Sequence, residues 1–177
     1  MKTLIFTTLF AALIGATSVH ATFECYLRLE GVPGESMAEG HKGEIDVGAF
    51  DLGNSMVISF GPTGGSGKAS FTDLNIRKAL DKASPILMLN CAKGTPVRSA
   101  VLTCRAGPDR QIVYKITMSD VYISKVVLHA DSLADRPTES VSLTYARIQW
   151  EYTPTLADGR PGTPVETGWD VKANVQQ

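Results

Sequence analysis

The chain has 177 residues and a mass of 19.0 kDa, the size of one domain rather than two. Hydrophobic residues make up 44% and charged residues 20%, with a mean hydropathy of +0.02, which excludes a disordered acidic chain and a disulfide-dense miniature. The formal charge is -1, from 17 basic and 18 acidic residues, so the basic excess that phosphate neutralisation requires is absent and no nucleic-acid partner is expected.

The first segment reads as a leader. Lys2 supplies a positive charge, Leu4 to Ile14 form an apolar run interrupted only by Thr7 and Thr8, and Val19 and Ala21 place small residues at the two positions a signal peptidase reads. The run is shorter than the roughly 20 apolar residues that a bilayer core demands, so no membrane span is expected. Residues 1–21 are therefore expected to be a signal peptide cleaved after Ala21. Residues 22–177 then form a single exported domain.

The remainder reads as strands. From Phe23 to Glu30 the chain alternates, with Phe23, Cys25, Leu27 and Leu29 on one face and Glu24, Tyr26, Arg28 and Glu30 on the other. Weaker candidates follow at Glu44 to Phe50, Met56 to Phe60 and Ser70 to Arg77. The glycine-rich run Gly61 to Gly67 reads as a mobile connector open to proteolysis. It is no phosphate-binding loop, because Pro62 stands where the first glycine belongs and Ala69 where the hydroxyl belongs. A helix of about nine residues is expected with Ser84 as N-cap and Pro85 at the first helical position. Lys93 follows in the last turn and Gly94 at C′. Its residues Ile86 to Ala92 are apolar nearly all round, so it needs cover on more than one side.

Val97 to Arg105 is another strand candidate. Gln111 to Ser119 alternates with Ile112, Tyr114, Ile116 and Met118 on one face, and continues to Leu128 as one long bent strand or two short ones. It leaves an edge that needs protection. Val141, Leu143 and Tyr145 alternate, then Ile148, Trp150 and Tyr152 resume out of phase. That slip predicts a bulge or bend at Ala146–Arg147. Thr167 to Asn174 is a last weak strand.

Chemistry motifs are sparse. His41 and His129 stand far apart without metal-ligand spacing and read as surface histidines. No Gly-x-Ser-x-Gly elbow occurs, and Asp131 and Asp135 sit in a polar loop. No catalytic constellation, metal site or cofactor site is expected. Three cysteines survive leader cleavage, Cys25, Cys91 and Cys104, an odd count for an exported chain. Cys25 lies on the apolar face of its strand and Cys104 shares a face with Ala100 and Leu102. Both read as buried reduced thiols, slow to label until the chain unfolds.

Several segments together resemble a known family. Glu24-Cys25-Tyr26-Leu27-Arg28-Leu29-Glu30-Gly31-Val32-Pro33-Gly34-Glu35-Ser36 is similar to the opening of the haemolysin-coregulated proteins (Hcp), the tube subunits of type VI secretion. Lys78 to Leu87, Cys104 to Gly107, Thr144 to Ile148 before Trp150-Glu151-Tyr152, and Gly168-Trp169-Asp170 resemble that family in the same order. The resemblance implies a mainly β domain, a two-sheet β-barrel-like body with one short flanking helix. Six copies close into a ring, and rings stack into an expelled tube that carries effectors. Self-association is then the main partnership, with type VI spike, sheath and effector proteins as further partners.

Phe50, Asp51, Leu52 and Gly53, with Ile86 and Met88 on the helix, are the expected ring lumen or interface residues. Where the family usually has Ser-Trp-Gly this chain has Phe50-Asp51-Leu52-Gly53, and Asp51 would add six charges around a ring. The family also assembles in the cytoplasm, normally without a cleavable leader. The alternative reading is therefore an exported stand-alone ring or binding module working outside the injection apparatus. An enzyme is a third reading. Active members of the family carry their activity in a C-terminal extension, whereas this chain ends at Gln177, soon after Trp169, so no catalytic role is expected.

Overall fold

The structure, a computed structural model, describes residues 23–61, 64–107, 109–132 and 134–177, at 59–61 and 64–67 by their backbone. The expected leader, residues 1–21, lies outside the described residues. The chain runs β1 (Glu24–Leu29), β2 (Ile45–Val47), β3 (Ala49–Asp51), β4 (Asn54–Gly61), β5 (Gly64–Phe71) and β6 (Leu74–Ala79), then α1 (Ser84–Lys93). It continues through β7 (Val97–Ala106), β8 (Gln111–His129), β9 (Thr138–Tyr152), β10 (Val165–Asp170) and β11 (Val175–Gln176).

Nine strands form one antiparallel sheet in the order β11-β10-β9-β8-β7-β1-β2, with β6 also on β9 and β3 on β6. β9 is long enough to serve two partners along one edge: Thr138 to Leu143 pair with β6, and Arg147 to Tyr152 with β10. β4 and β5 form a separate two-stranded ribbon.

The expected two-sheet barrel is corrected to an open, branched sheet plus a ribbon. Its free end is made of β2 and β3, three residues each, separated by Gly48. The Gly48 amide donates to the Arg77 carbonyl at 2.9 Å, bringing this end against β6. β2 itself ladders with β1 alone, so the circuit stays open.

The expected strand from Gln111 is one continuous strand. Its ladder to β7 ends at Val121, so from Tyr122 to His129 only β9 pairs it. The phase slip expected in β9 is real, because Tyr145 and Ile148 are both buried. The irregular residue, however, is on β8: Asp120 has φ +54° opposite Ala146, and the pairs Val121–Tyr145 and Ser119–Arg147 keep one register on either side. Both strands slip together, and Ala146 gives its carbonyl to the Val171 amide instead. The register of β8 against β9 shifts elsewhere, between Ile123 and Lys125.

The core gathers Leu27, Leu29, Ile45, Leu74, Leu102, Ile116, Met118, Val121, Val141, Leu143 and Ile148, all 3% exposed or less. Burying each such side chain contributes about 1.5–3 kcal/mol. β1 departs from simple alternation. Phe23 is exposed, whereas Tyr26, on the expected polar face, is buried beneath the loop 32–44. His41 of that loop, expected at the surface, is 7% exposed. Its ring stacks on Tyr26 at 4.3 Å between centroids, and its Nδ1 bonds Glu44 at 2.8 Å.

The thiol expectation is also corrected. Cys25 and Cys104 are directly opposed in the β1–β7 ladder, with Cα atoms 4.2 Å apart, and are joined as a disulfide. Cys91 remains free.

α1 begins one residue earlier than expected. Ala83 occupies the N-cap, Ser84 is already helical, and Gly94 closes the helix in the left-handed conformation at φ +60°. Ser84 is turned to another task. Its hydroxyl accepts from the Asp81 amide at 3.1 Å and donates to Glu139 Oε1 at 2.8 Å. Lys78 Nζ reaches the same Glu139 oxygen at 2.8 Å, Asp81 Oδ1 at 2.7 Å and the Ala79 carbonyl at 2.8 Å, with no exposed side-chain surface. This buried ion network ties the start of α1 to β6 and β9.

Candidate assembly surface

The residues from Gly61 to Gly67 expected to form a connector lie largely in the ribbon. Gly61 pairs with Gly64, and Gly64 to Gly67 are strand residues. Their composition explains the surface that results. β4 offers the consecutive apolar residues Met56, Val57 and Ile58, and the opposing positions on β5 are Ala69, Lys68 and Gly67. Consecutive strand residues point to opposite faces, so an apolar run shows apolar side chains on both. A partner strand with so few apolar side chains cannot cover them. Val57 is 80% exposed, and Met56 and Ile58 are 52% exposed each.

At the foot of the ribbon, Phe50, Leu52, Gly53, Asn54 and Phe71 meet Tyr114, Ile116 and Trp150 of the main sheet around a groove of about 350 Å³. A second groove of about 400 Å³ continues past Met56 and Phe71 to Trp150 and Trp169. Phe71 lies 6.1 Å from the Trp150 ring and 6.3 Å from the Trp169 ring, so three aromatics form the floor. Burial pushes the Tyr114 hydroxyl above its usual pKa. Among the described residues the buried Trp169 indole N–H has no hydrogen-bond partner. Thr72 fastens the ribbon's foot, accepting from the Gly53 amide at 2.9 Å and donating to its carbonyl at 3.2 Å.

Of the residues singled out from the sequence, Phe50, Leu52 and Gly53 come together at this groove. Asp51 points away, exposed, and accepts from Asn75 Nδ2 at 2.8 Å. Ile86 and Met88 belong to α1 and do not line the groove. Ile86 packs partly against the core, while Met88 is 43% exposed beside exposed Leu89. Leu87 is fully buried, so the helix is covered on one face only. Sequence reading missed Val57, Phe71, Tyr114 and Trp150. The signal for the first was the unbroken Met56-Val57-Ile58 run, which alternation cannot hide.

A second polar cluster lies where β1 meets β7. Tyr26 Oη donates to Glu24 Oε2 at 2.9 Å, and Arg105 Nη2 donates to the same oxygen and to Tyr26 Oη, each at 2.8 Å. These bonds, Tyr26's first, hold the Glu24 carboxyl below its usual range, while burial pushes the Tyr26 hydroxyl up. Arg105 also reaches the Glu39 carbonyl at 3.0 Å and so ties down the 32–44 loop. Arg105 Nε is buried without a hydrogen-bond partner among the described residues, while the cluster's other bonds all run within the scaffold, which marks a structural clamp. Among the described residues no group of three or more His, Cys, Asp or Glu is placed to hold a metal, and no helix is long and apolar enough to cross a membrane.

The family model for the type VI secretion system effector Hcp matches residues 26–152. Protein hcp1 of Pseudomonas aeruginosa is 39% identical over 158 residues, covering 86% of this chain and 98% of that protein. The solved structure of a type six secretion system protein aligns with a TM-score of 0.82 at 26% identity, covering 88% of this chain and all of that one. Hcp1 from Salmonella typhimurium aligns with a TM-score of 0.75 at 27% identity, covering 88% of this chain and 99% of its own. The chain belongs to the Hcp family, the secreted structural tube proteins of type VI secretion.

Proposed function

We propose that residues 22–177, after cleavage behind Ala21, form a homohexameric ring, and that rings stack into a tube that carries effectors in its lumen. The observation that carries this reading is the uncovered ribbon. An isolated two-stranded ribbon is marginal in water, and one with apolar side chains on both faces invites association. A neighbouring copy can cover it. Ribbon and aromatic groove are different surfaces of one subunit, so contact between them is head-to-tail, and such contacts end only when a ring closes. Six is the family's number; the geometry asks only for closure.

Phe50, Leu52 and Gly53 at the ribbon's foot, with Ile86 and Met88 on α1, are assigned to ring surfaces, and Asp51 adds one charge per subunit there. Spike, sheath and effector proteins are the further partners this role implies. The test is the mass of the mature protein in solution by light scattering, with negative-stain microscopy for ring shape. A chain that stays monomeric across the micromolar range, where specific interfaces of standard size are normally saturated, overturns the proposal.

A second reading is supported by the leader-like segment. An exported stand-alone ring or binding module, working outside the injection apparatus, keeps the same fold and surfaces but reaches the periplasm or medium through residues 1–21. Intact mass of the extracellular protein separates the two. A mature chain starting at Thr22 supports the leader's use, and an uncleaved cytoplasmic species as the sole form removes it.

A further inference from the structure

We infer that Cys25–Cys104 is a staple formed by oxidation during export, and that the stability of this subunit therefore differs between reducing and oxidising compartments. Three observations meet here. The two cysteines occupy opposed positions in the β1–β7 ladder, with Cα atoms 4.2 Å apart across a sequence separation of 79. Directly opposed antiparallel residues lie at about this spacing, within reach of a disulfide. They are the two cysteines of the sheet interior, while Cys91 stands on α1 and is free, which resolves the odd count without a bridge between chains. The segment before them carries the marks of a secretory leader, and disulfides persist in the compartments such leaders reach and are rare in the cytosol. The inference rests on that export reading and not on ring formation.

The two cysteines are not equally placed. Cys104 is 0% exposed, whereas Cys25 is 6% exposed and lines an open cavity of about 350 Å³ with Phe23, Glu24, Asp46 and Val47. Exchange with an oxidised dithiol protein or oxidised glutathione therefore starts at Cys25. Its thiolate attacks one sulfur of the oxidant and releases the other as a thiolate, leaving a mixed disulfide. The Cys104 thiolate then attacks the Cys25 sulfur and expels the second oxidant thiolate. Two electrons pass to the oxidant, which takes up the two protons that the cysteines lose. Once closed, the bridge lies in the core beyond easy reach of reductants. Tying residues this far apart restricts the unfolded chain enough to favour folding by roughly a thousandfold.

The experiment compares protein exported from its own leader with leaderless protein made in a reducing cytoplasm. The exported chain is expected to weigh two hydrogens less than its reduced form and, once unfolded, to alkylate at Cys91 alone; the leaderless chain alkylates at all three cysteines. Unfolding the exported protein in reductant and refolding it there should lower its melting temperature by about 10 °C or more. The double variant Cys25→Val/Cys104→Val should melt where reduced wild type does and ignore reductant. With oxidised glutathione as the probe, native leaderless Cys104→Ala should take up glutathione at Cys25, and native Cys25→Ala should take up none at Cys104. Three free thiols in exported protein, a bridge involving Cys91, or a melting temperature unchanged by refolding in reductant would overturn the staple. Oligomer mass measured on the same samples reports on the ring separately, so either reading can fail without the other.

Discussion

Lys78 Nζ has no exposed side-chain surface and is surrounded by two carboxylates, a backbone carbonyl and the Ser84 hydroxyl. Removing one member of such a set leaves the others buried and uncompensated. Lys78→Met is therefore expected to cost about 3–5 kcal/mol, measured by urea unfolding. Glu139→Gln, which keeps an acceptor oxygen for Lys78 and for Ser84, should cost less. A second residue writes a pH dependence into the fold. Burial, assisted by the charge of Asp73, pushes the Tyr145 hydroxyl up to about 12, and that hydroxyl donates to the Thr72 carbonyl at 3.1 Å. The folded state then keeps a proton that the unfolded chain sheds from pH 10 upward, so this contribution is complete below pH 10 and disappears between 10 and 12. Tyr145→Phe should flatten the alkaline fall in stability over that window, and should cost about 1 kcal/mol at neutral pH through the lost hydrogen bond. Tyr26 and Tyr114 are shifted in the same direction, so a residual slope is expected.

Two elements show apolar faces without an inner partner. On α1, adjacent positions have opposite fates: Leu87 is fully buried and Met88 is 43% exposed. Leu87→Asp should unfold the subunit, whereas Met88→Asp should leave its melting temperature within a few degrees and, where the helix lies between copies, lower the oligomer mass. The ribbon makes the sharper test, because Val57 is 80% exposed. Val57→Lys should leave the monomer as stable as wild type and weaken assembly at least tenfold in the concentration needed for rings, read by sedimentation. A drop in stability without change in assembly would return the ribbon to the subunit's own core. The small residues of β5 have a structural reason in this setting. Opposite Met56 and Ile58 stand Ala69 and Gly67, small enough to leave β4 uncovered for a neighbour.

At the scale of the whole molecule the chain is an open sheet with a ribbon at one side and a helix flanking β8, and its unfinished surfaces are the places where copies are proposed to meet. Much of this was legible in the order of residues. Period-two alternation located β1, β8 and β9, and proline and glycine bracketed α1, because backbone periodicity and turn chemistry are local properties. The motifs shared with the Hcp family placed the chain in its class before any contact was known. What local pattern does not contain is which strand lies beside which. Cys25 and Cys104 each read as an ordinary buried thiol on its own strand; only the β1–β7 register sets them opposite each other. Tyr26 and His41 read as surface residues until the loop 32–44 folds back over β1 and stacks one ring on the other. The glycine run read as a flexible connector because glycine alone carries no strand signal, and pairing with β4 overrides that weak propensity. The barrel failed to close for a similar reason: β2 ladders with β1 and β3 with β6, a choice of partners between distant segments that no window of sequence records. Local chemistry determined the elements and the family; long-range pairing decided the disulfide, the open edge and the exposed ribbon, since each depends on two segments far apart in the chain.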